Sequence, residues 1–391
     1  MAGEKGGRGP APTCTGAILD AAVKPRPKTI PTPEEDTMPA IHADHGLAPL
    51  MRYENIAWFQ EGAVRILDRR VYPAKELYVV CRTHGEVAKA VTDMVTQSYG
   101  PFHAAAMGMV LAAYECRAKD AQTQKTFLTN ASETLANARP TTARKMRLWT
   151  EDCLRAGFAA IDAGETAWER IRLAAVKKFD ARYERIAAIG KHMAEKIPMG
   201  GAVMTQCYAD ADLGMTLRAL KESGNPARFF CPETRPYLQG ARLTASVILD
   251  MGFDVTLITD NMPGFTLKTK SIDVFTSAAD VICLDGHVVN KVGTFQIALC
   301  ASYYGVPYYV TGFPDSAHPT VDTVRIEERD PQDVLHAMGA RTCKQGVKGY
   351  YPAFDITPPQ LVSGIVTDQG VLPAAGLSAY RFGSPVAAQI Q

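Results

Sequence analysis

The second half of the chain alternates short apolar runs with longer segments that have helical spacing. Runs of four or five apolar residues are too short for a helix, whereas the longer segments repeat apolar residues at the 3.6-residue period of an amphipathic helix. This alternation predicts strands joined by crossover helices in a parallel sheet. The predicted strands are 202–205, 227–231, 255–259, 281–284 and 307–311, and the predicted helices are 214–222, 238–251, 294–304 and a last one at 358–367.

The first half of the chain has mainly helical spacing, with two short strands predicted around the turn at Gln60, Glu61 and Gly62. Its predicted helices are 84–95, 102–116, one that begins near Pro140, and about 165–196. We therefore assign the chain to the α/β class, with an N-terminal mainly helical domain and a C-terminal Rossmann-like domain with a parallel sheet. The helical domain, with its small β region, is expected over 49–198 and the Rossmann-like domain over 199–391. Residues 1–48 are rich in proline, glycine and charge and are expected to form a flexible extension.

Charge and hydrophobicity exclude several classes of partner. Lys and Arg number 42 against 41 Asp and Glu, so the net charge of +1 gives no basis for a nucleic-acid or membrane-surface partner. No apolar run reaches the roughly 18 residues of a membrane span. The nine cysteines are scattered without a CxxC pair, which argues against a zinc site or a disulfide framework. We expect a cytoplasmic protein with free thiols.

Two chemically useful side chains follow predicted strands, where parallel sheets collect their ligands. Cys207 comes directly after the strand 202–205 and before a helix, whose amides can lower the pKa of a thiol. The alternative for Cys207 is a buried structural thiol. Asp260 ends the strand 255–259, where partial burial can raise the pKa of its carboxyl into the range useful for proton transfer. The alternative for Asp260 is a turn or a helix cap.

Basic residues at helix entrances indicate an anion site. Arg139 and Arg235 both precede a proline, where a guanidinium and free helix amides can bind one phosphate together. Asn290 and Lys291 lie just ahead of the predicted helix 294–304, and the lysine can act as a point charge for a phosphate. Neither a GxGxxG fingerprint nor a Walker-type loop occurs, so a nucleotide cofactor has no motif to support it. His287 is more typical of a turn than of a ligand.

Seven strings of the sequence, in this order, resemble the methylthioribose-1-phosphate isomerase family, which shares its fold with ribose-1,5-bisphosphate isomerases and the regulatory subunits of translation initiation factor 2B. Weaker similarity begins at about Glu54, so some 330 residues are covered. The strings are RPTT (139–142), MTQC (204–207), ETRPYLQGARLTA (233–245), VTLITDNM (255–262), VVNKVGT (288–294), IEERDP (326–331) and YYPAFDITP (350–358).

The resemblance implies an aldose–ketose isomerase of methionine salvage that acts on a pentose with a phosphate on its C1 oxygen. It implies no metal or organic cofactor and a homodimer. It makes Cys207 and Asp260 the catalytic pair. It places Arg139, Gln239, Asn290 and Lys291 at phosphate and hydroxyl groups of the substrate. All six are expected in one pocket between the helical domain and the sheet.

The sequence departs from the family pattern near the expected substrate. A family string of the form RGAPAIG, whose arginine contacts phosphate, is replaced by TQSYGPFHAAAMG, in which His103, Ser98 or the amides near Gly100 are the candidates to stand in. The family loop GADRIAANGD is interpreted as shortened here to CLDGH. These departures indicate altered substrate choice or reduced catalysis. Two alternatives stay open. One is a non-catalytic sugar-phosphate or nucleotide sensor or assembly subunit, of the initiation factor 2B regulatory type. The other is a ribose-1,5-bisphosphate isomerase with Arg144 or Arg147 at the second phosphate.

Overall fold

The computed structural model describes residues 42–139 and 143–382. Most of the predicted extension, the predicted helix start near Pro140, and Thr141 and Thr142 therefore lie outside the described residues. His42 to Ala48, which the sequence assigns to the extension, pack against the rest of the chain. Asp44 accepts a hydrogen bond of 2.7 Å from the amide of Tyr53, and Leu47 is buried.

The described part of the first half contains a small antiparallel sheet and a group of helices. The sheet has the order β1-β2-β3, and the predicted hairpin turn joins its first two strands. The strands are Ala57–Gln60 (β1), Ala63–Leu67 (β2) and Tyr78–Cys81 (β3). The helices are Tyr53–Ile56 (α1), His84–Thr92 (α2), Gly100–Cys116 (α3), Ala121–Ala136 (α4), Ala143–Asp162 (α5) and Ala167–Ala194 (α6).

Helix α3 lies at the centre of this group, as its apolar sequence predicts. Nearly every side chain along it is buried, because small residues such as alanine let other helices approach closely on all sides. At Gly108 a β-carbon would come within 2.8 Å of Leu135 on α4. The close packing of α3 against α4 therefore requires the absence of a side chain there.

The second half is built around a seven-stranded sheet with the order β15-β14-β10-β7-β4-β5-β6. All neighbouring strands in it run parallel except the pair β14 and β15. Its strands are Ala202–Met204 (β4), Arg228–Pro232 (β5), Asp254–Ile258 (β6), Val274–Ala278 (β7), Tyr308–Thr311 (β10), Gly364–Thr367 (β14) and Gly370–Leu372 (β15).

A second, antiparallel sheet with the order β13-β9-β8 belongs to the same half of the chain. Its strands are Val281–Ile282 (β8), Val288–Lys291 (β9) and Phe354–Thr357 (β13), and a hairpin is formed by His336–Ala337 (β11) and Ala340–Arg341 (β12). The helices are Ala211–Glu222 (α7), Ala245–Asp250 (α8), which continues a π-helical turn at Gly240–Thr244, Pro263–Thr269 (α9), Thr294–Tyr303 (α10) and Gln332–Leu335 (α11).

The structure corrects two details of the predicted pattern. The predicted last helix at 358–367 is wrong, because only Pro359–Leu361 form a helical turn and Gly364–Thr367 form the buried strand β14. Its β-branched residues favour a strand, since a branched side chain packs well on a pleated surface. The predicted strand 281–284 belongs to the small sheet, and β7, which the sequence analysis missed, takes its place in the large one.

The observed architecture confirms the α/β class with helices in the first half and a parallel sheet in the second. Within residues 42–139 and 143–382, no helix has both the length and the apolar character needed to cross a membrane. The division into a helical and a Rossmann-like domain near residue 198 stays a prediction.

Candidate active site

A cavity of about 270 Å³ lies where the carboxyl ends of β4 and β7 face the helical part of the chain. Open α/β sheets bind ligands at this end of their strands. Six of the residues predicted from the sequence as site candidates line the cavity: Ser98, Arg139, Cys207, Gln239, Asn290 and Lys291. Asp260, Gly100 and His103 are not among the residues of its wall.

Cys207 follows β4 in a left-handed backbone conformation with φ of 59°. Its amide donates to the Thr234 hydroxyl over 3.2 Å, and its carbonyl accepts from the Thr244 hydroxyl. These two bonds hold a conformation that a residue with a β-carbon rarely adopts. The side chain is therefore fixed in the cavity wall by contacts from a neighbouring loop.

The thiol of Cys207 is neutral at physiological pH. Burial raises its pKa to about 11, more than the nearby ammonium of Lys291 lowers it. The lowered pKa that the sequence suggested is wrong, because helix α7 begins only at Ala211 and the influence of helix amides is confined to the first turn. Cys207 therefore faces the cavity as a thiol.

Asp260 does not occupy the place that the sequence analysis expected. Its two carboxylate oxygens accept hydrogen bonds from the amides of Thr234 and Arg235, at 2.8 and 2.6 Å. A carboxylate bonded in this way organises a turn. Since the Thr234 hydroxyl in turn accepts from the Cys207 amide, Asp260 supports the loop behind the cavity wall and does not line the cavity. Asp260 thus has the turn role that was its alternative.

Asp280 is the carboxylate that shares the cavity with Cys207. It comes two residues after β7 ends, and its amide donates to the Val289 carbonyl over 2.9 Å. Its side chain is accessible within the cavity, but the surrounding protein replaces much of its hydration. This desolvation raises the pKa of its carboxyl, although Lys291 and Arg329 oppose the shift. A carboxyl with a raised pKa can hold a proton and deliver it.

The sequence contains a signal for Asp280 that was missed. The interpretation of a shortened loop considered only CLDGH, but the ten residues before Val288 read AADVICLDGH. This string has the same length as GADRIAANGD and has an aspartate at the same third place. The loop is therefore not shortened in this comparison, and its aspartate is Asp280.

Cationic side chains surround Asp280 in the cavity. Lys291 is buried, and its ammonium lies 4.8 Å from the centre of the Phe354 ring. Burial lowers the pKa of both Lys291 and Arg139, and Arg329 adds to this effect in each case. Arg329, which the sequence analysis missed as a site residue, pairs with Glu327 at 2.9 Å. Several cations in one wall are suited to a phosphate group.

Two buried side chains in this wall each have an unpaired polar atom. Lys291 Nζ and Gln239 Oε1 have no hydrogen-bond partner within the described parts of the chain. Buried polar groups are nearly always paired in folded proteins, so an unpaired donor and acceptor beside a cavity indicate a polar ligand. Asn290 lines the same wall, and its amide group donates to the Thr294 hydroxyl over 3.1 Å.

Of the three candidates in the glycine-containing loop, His103 and Gly100 do not line the cavity. His103 is buried in the helical core, where its ring stacks on Phe179 at 4.1 Å and burial lowers its pKa to about 3. Gly100 is needed for packing, because a β-carbon there would overlap the Thr96 hydroxyl at 1.8 Å. Ser98, the third candidate, does line the cavity.

The remaining arginines of the sequence analysis serve other contacts. The Arg235 guanidinium donates to the carbonyls of Asp333, Val334 and His336, so it fastens the segment before β11 and does not join Arg139 at a phosphate. Arg147 pairs with Glu133 at 2.6 Å. Neither Arg144 nor Arg147 lines the cavity.

The side chains in the described ranges form no cluster of His, Cys, Asp and Glu suited to a metal ion. The arrangement at the cavity instead joins one neutral thiol, one carboxyl with a raised pKa and several cations. It suits proton and hydrogen transfer on a small anionic molecule.

Comparison with known proteins agrees with the resemblance found in the sequence. A methylthioribose-1-phosphate isomerase from Thermotoga neapolitana is 37% identical over 321 residues, which cover 79% of this chain and 92% of that protein. The crystal structure of 5-methylthioribose 1-phosphate isomerase from Pyrococcus horikoshii OT3 is similar with a TM-score of 0.75 and 27% identity, covering 84% of this chain and 95% of that one.

A further similar structure is the translation initiation factor eIF-2B subunit delta from A. fulgidus, with a TM-score of 0.74 and 30% identity over 86% of this chain and 99% of that one. These matches confirm the predicted fold. The model of the Initiation factor 2 subunit family matches residues 100–374, which is most of the sequence, and the chain therefore belongs to that family.

Proposed function

We propose that the protein is an aldose–ketose isomerase that acts on a C1-phosphorylated pentose, with methylthioribose 1-phosphate as the first compound to test. The single observation that supports this most is that a neutral thiol and a carboxyl with a raised pKa, Cys207 and Asp280, line one cavity together with a group of cations. The relatives that are named methylthioribose-1-phosphate isomerases support the same reaction class.

The C1 phosphate is bound by the cations of the cavity wall. Arg139 and Arg329 present planar guanidinium groups, which can bond two phosphate oxygens at once. The unpaired ammonium of Lys291 supplies a point charge, and Gln239 is an acceptor for a sugar hydroxyl. Because these groups are partly desolvated, their attraction to a dianion is stronger than it would be in water.

Asp280 acts as the acid and base of the reaction. Phosphate on the C1 oxygen prevents the usual opening to a free aldehyde, so the bond between C1 and the ring oxygen must break with the phosphate in place. Asp280 gives its proton to the ring oxygen, which becomes the C4 hydroxyl. The C2 hydroxyl then returns a proton to Asp280 as the C2 carbonyl forms, so Asp280 is protonated again at the end of the reaction.

One hydrogen moves from C2 to C1 in the same step, and Cys207 faces it. If the hydrogen moves with its electron pair, it fills the electron-poor C1 left by ring opening. The neutral thiol gives this hydrogen a surface of low polarity that excludes water.

We further propose that the protein works in the cytoplasm as a homodimer. The edge strand β6 and the helices near it expose large apolar side chains, which monomeric proteins rarely group together. Among them, Leu249 is 65% exposed, Leu257 51% and Phe265 72%. Light scattering on the purified protein should give twice the chain mass, and Phe265→Asp should weaken the pairing.

Turnover of methylthioribose 1-phosphate tests the proposed function. Purified protein should convert it to the ketose, and Cys207→Ser should retain the fold by circular dichroism while losing conversion. Binding of pentose 1-phosphates without conversion of any of them by the unaltered protein would support the sensor alternative and contradict the isomerase.

The pH dependence of kcat tests the role of Asp280. Its folded pKa is raised, so the protonated acid persists below that pKa, and activity should fall as pH rises through it. The thiol of Cys207, with a pKa of about 11, does not titrate over the same range. A pH profile of kcat without a decrease below a pH of about 11, where the Cys207 thiol would titrate, would contradict Asp280 as the acid.

A further inference from the structure

A second polar group lies in the wall of the same cavity, on the side built by helices. Arg182 on α6 and Asp212 on α7 both line the cavity. Arg182 is only 7% exposed, and its guanidinium lies over the Tyr99 ring at 3.3 Å from the ring centre. A guanidinium stacked on an aromatic face is held in one orientation. Neither residue was predicted from the sequence to belong to a site.

Both side chains have polar atoms without partners. Arg182 Nε and Nη1 and Asp212 Oδ1 are buried and have no hydrogen bond to any residue of 42–139 or 143–382. Leaving a buried donor or acceptor unpaired costs about 1–3 kcal/mol. Three such atoms beside one cavity indicate that a ligand completes the arrangement.

The charges near Arg182 distinguish this place from the cationic wall around Asp280. Burial opposes its charge, but Tyr99, Asp212 and Asp210 together raise the pKa of Arg182. Burial raises the pKa of Asp212 to about 7 despite the nearby guanidinium. Asp210 accepts a hydrogen bond of 3.0 Å from the Tyr99 amide. One cation among two acidic side chains is a poor site for a phosphate.

A donor and an acceptor side by side match a hydroxyl group, which can accept from the guanidinium and donate to the carboxylate at once. A methylthio group would do neither and would leave the buried atoms unpaired. The reacting carbons and the C1 phosphate are assigned to the wall with Cys207, Asp280 and Lys291. The 5-position, at the far end of the pentose, is therefore assigned to the helical wall, which contains Arg182 and Asp212.

We propose that Arg182 and Asp212 form a subsite that binds a hydroxyl on the 5-position of the pentose 1-phosphate. This inference rests on the proposed function and narrows its substrate class. The protein then favours a substrate whose 5-substituent is polar, such as ribose 1-phosphate, over one with an apolar 5-substituent.

The test compares two substrates that differ by one oxygen atom. The kcat/KM of the full-length protein is measured for ribose 1-phosphate and 5-deoxyribose 1-phosphate, with methylthioribose 1-phosphate as a third. A site built around a hydroxyl rejects the analogue that lacks it, so ribose 1-phosphate should be preferred by about 100-fold or more. Equal values, or a preference for either apolar compound, would overturn the subsite. This comparison needs no variant and so does not depend on a variant's folding.

The Arg182→Met variant then tests whether the guanidinium causes the preference for ribose 1-phosphate. The variant should lower kcat/KM for ribose 1-phosphate by about 10-fold or more and leave 5-deoxyribose 1-phosphate nearly unchanged. Lys191→Met, an exposed lysine on the same helix, is the matched control and should change neither value. Equal losses for both substrates in Arg182→Met would mean a structural role and contradict the proposal.

Failure of the subsite and failure of the proposed function give different results. If no pentose phosphate is converted, the isomerase proposal fails. Titration calorimetry with the same two sugar phosphates then tests the subsite alone, and tighter binding of ribose 1-phosphate supports it. Equal affinity of the two compounds would contradict it.

Discussion

The two walls of the cavity are built from different elements and hold their polar groups in different ways. On the strand side, Cys207 and Asp280 follow the ends of β4 and β7, and hydrogen bonds to Thr234 and to Val289 of β9 fix their backbones. On the helical side, Arg182 and Asp212 project from helices and keep unpaired atoms at the cavity. Under the proposed function, the strand wall is organised for the reaction and the helical wall for recognition. Loss of Cys207 or Asp280 should therefore reduce kcat, and loss of a helical-wall residue should change substrate preference.

The largest effect is expected from Asp280→Asn. The amide retains the size of the side chain but cannot exchange the proton, so kcat should fall by about 10³-fold, within the range typical for loss of a general acid. Steady-state kinetics on the purified variant, with its melting temperature as the folding control, make the measurement. A decrease in kcat of less than about 10-fold would contradict the role of Asp280 as acid and base.

Lys291→Met should have the next largest effect, mainly on KM. Methionine keeps most of the apolar stem but removes the phosphate's point charge, so KM should rise by about 10–100-fold. The variant should also melt at a higher temperature, because it no longer buries an unpaired ammonium. An unchanged KM would mean that the phosphate is bound elsewhere.

Asp260→Asn should have a smaller effect that acts through the loop behind Cys207. An asparagine can accept from only one of the two amides that the carboxylate holds, which should lower stability by about 1–3 kcal/mol. A shifted Cys207 should reduce kcat by about 10-fold. Urea unfolding and kinetics measure the two effects. A decrease in kcat as large as that of Asp280→Asn, with unchanged stability, would mean that Asp260 takes part in the reaction.

The smallest effect on activity is expected from His103→Leu. The ring is buried against Phe179 and does not line the cavity, so only packing is altered. The ratio of kcat/KM between any two sugar phosphates should not change, whatever happens to the melting temperature. A changed ratio would mean that His103 takes part in substrate binding.

The sequence predicted the fold better than the site, and particular residues show why. The parallel strands and the place of Cys207 follow from periodicity and from the position of strand ends, which are local properties. The choice between Asp260 and Asp280 is not local, because each follows a strand of the same sheet. Only the hydrogen bonds from Thr234 and Arg235 show that Asp260 has its partners already.

The helical wall was harder still to predict. Arg182 lies on a long helix among other charged residues, where a surface position is the usual expectation. Its burial depends on Tyr99, which is distant in sequence and reaches it only in the folded chain. Similarly, the strand at 364–367 depends on pairing with β10, so the local pattern alone suggested a helix.

The most direct test of the central claim is a crystal structure of the Asp280→Asn variant with ribose 1-phosphate bound. We expect the C1 and C2 atoms of the sugar between the Cys207 sulfur and residue 280, the phosphate on Arg139 and Lys291, and no contact with Asp260. A sugar phosphate bound outside this cavity, or one that contacts the Asp260 carboxylate while Cys207 is out of reach, would contradict the account.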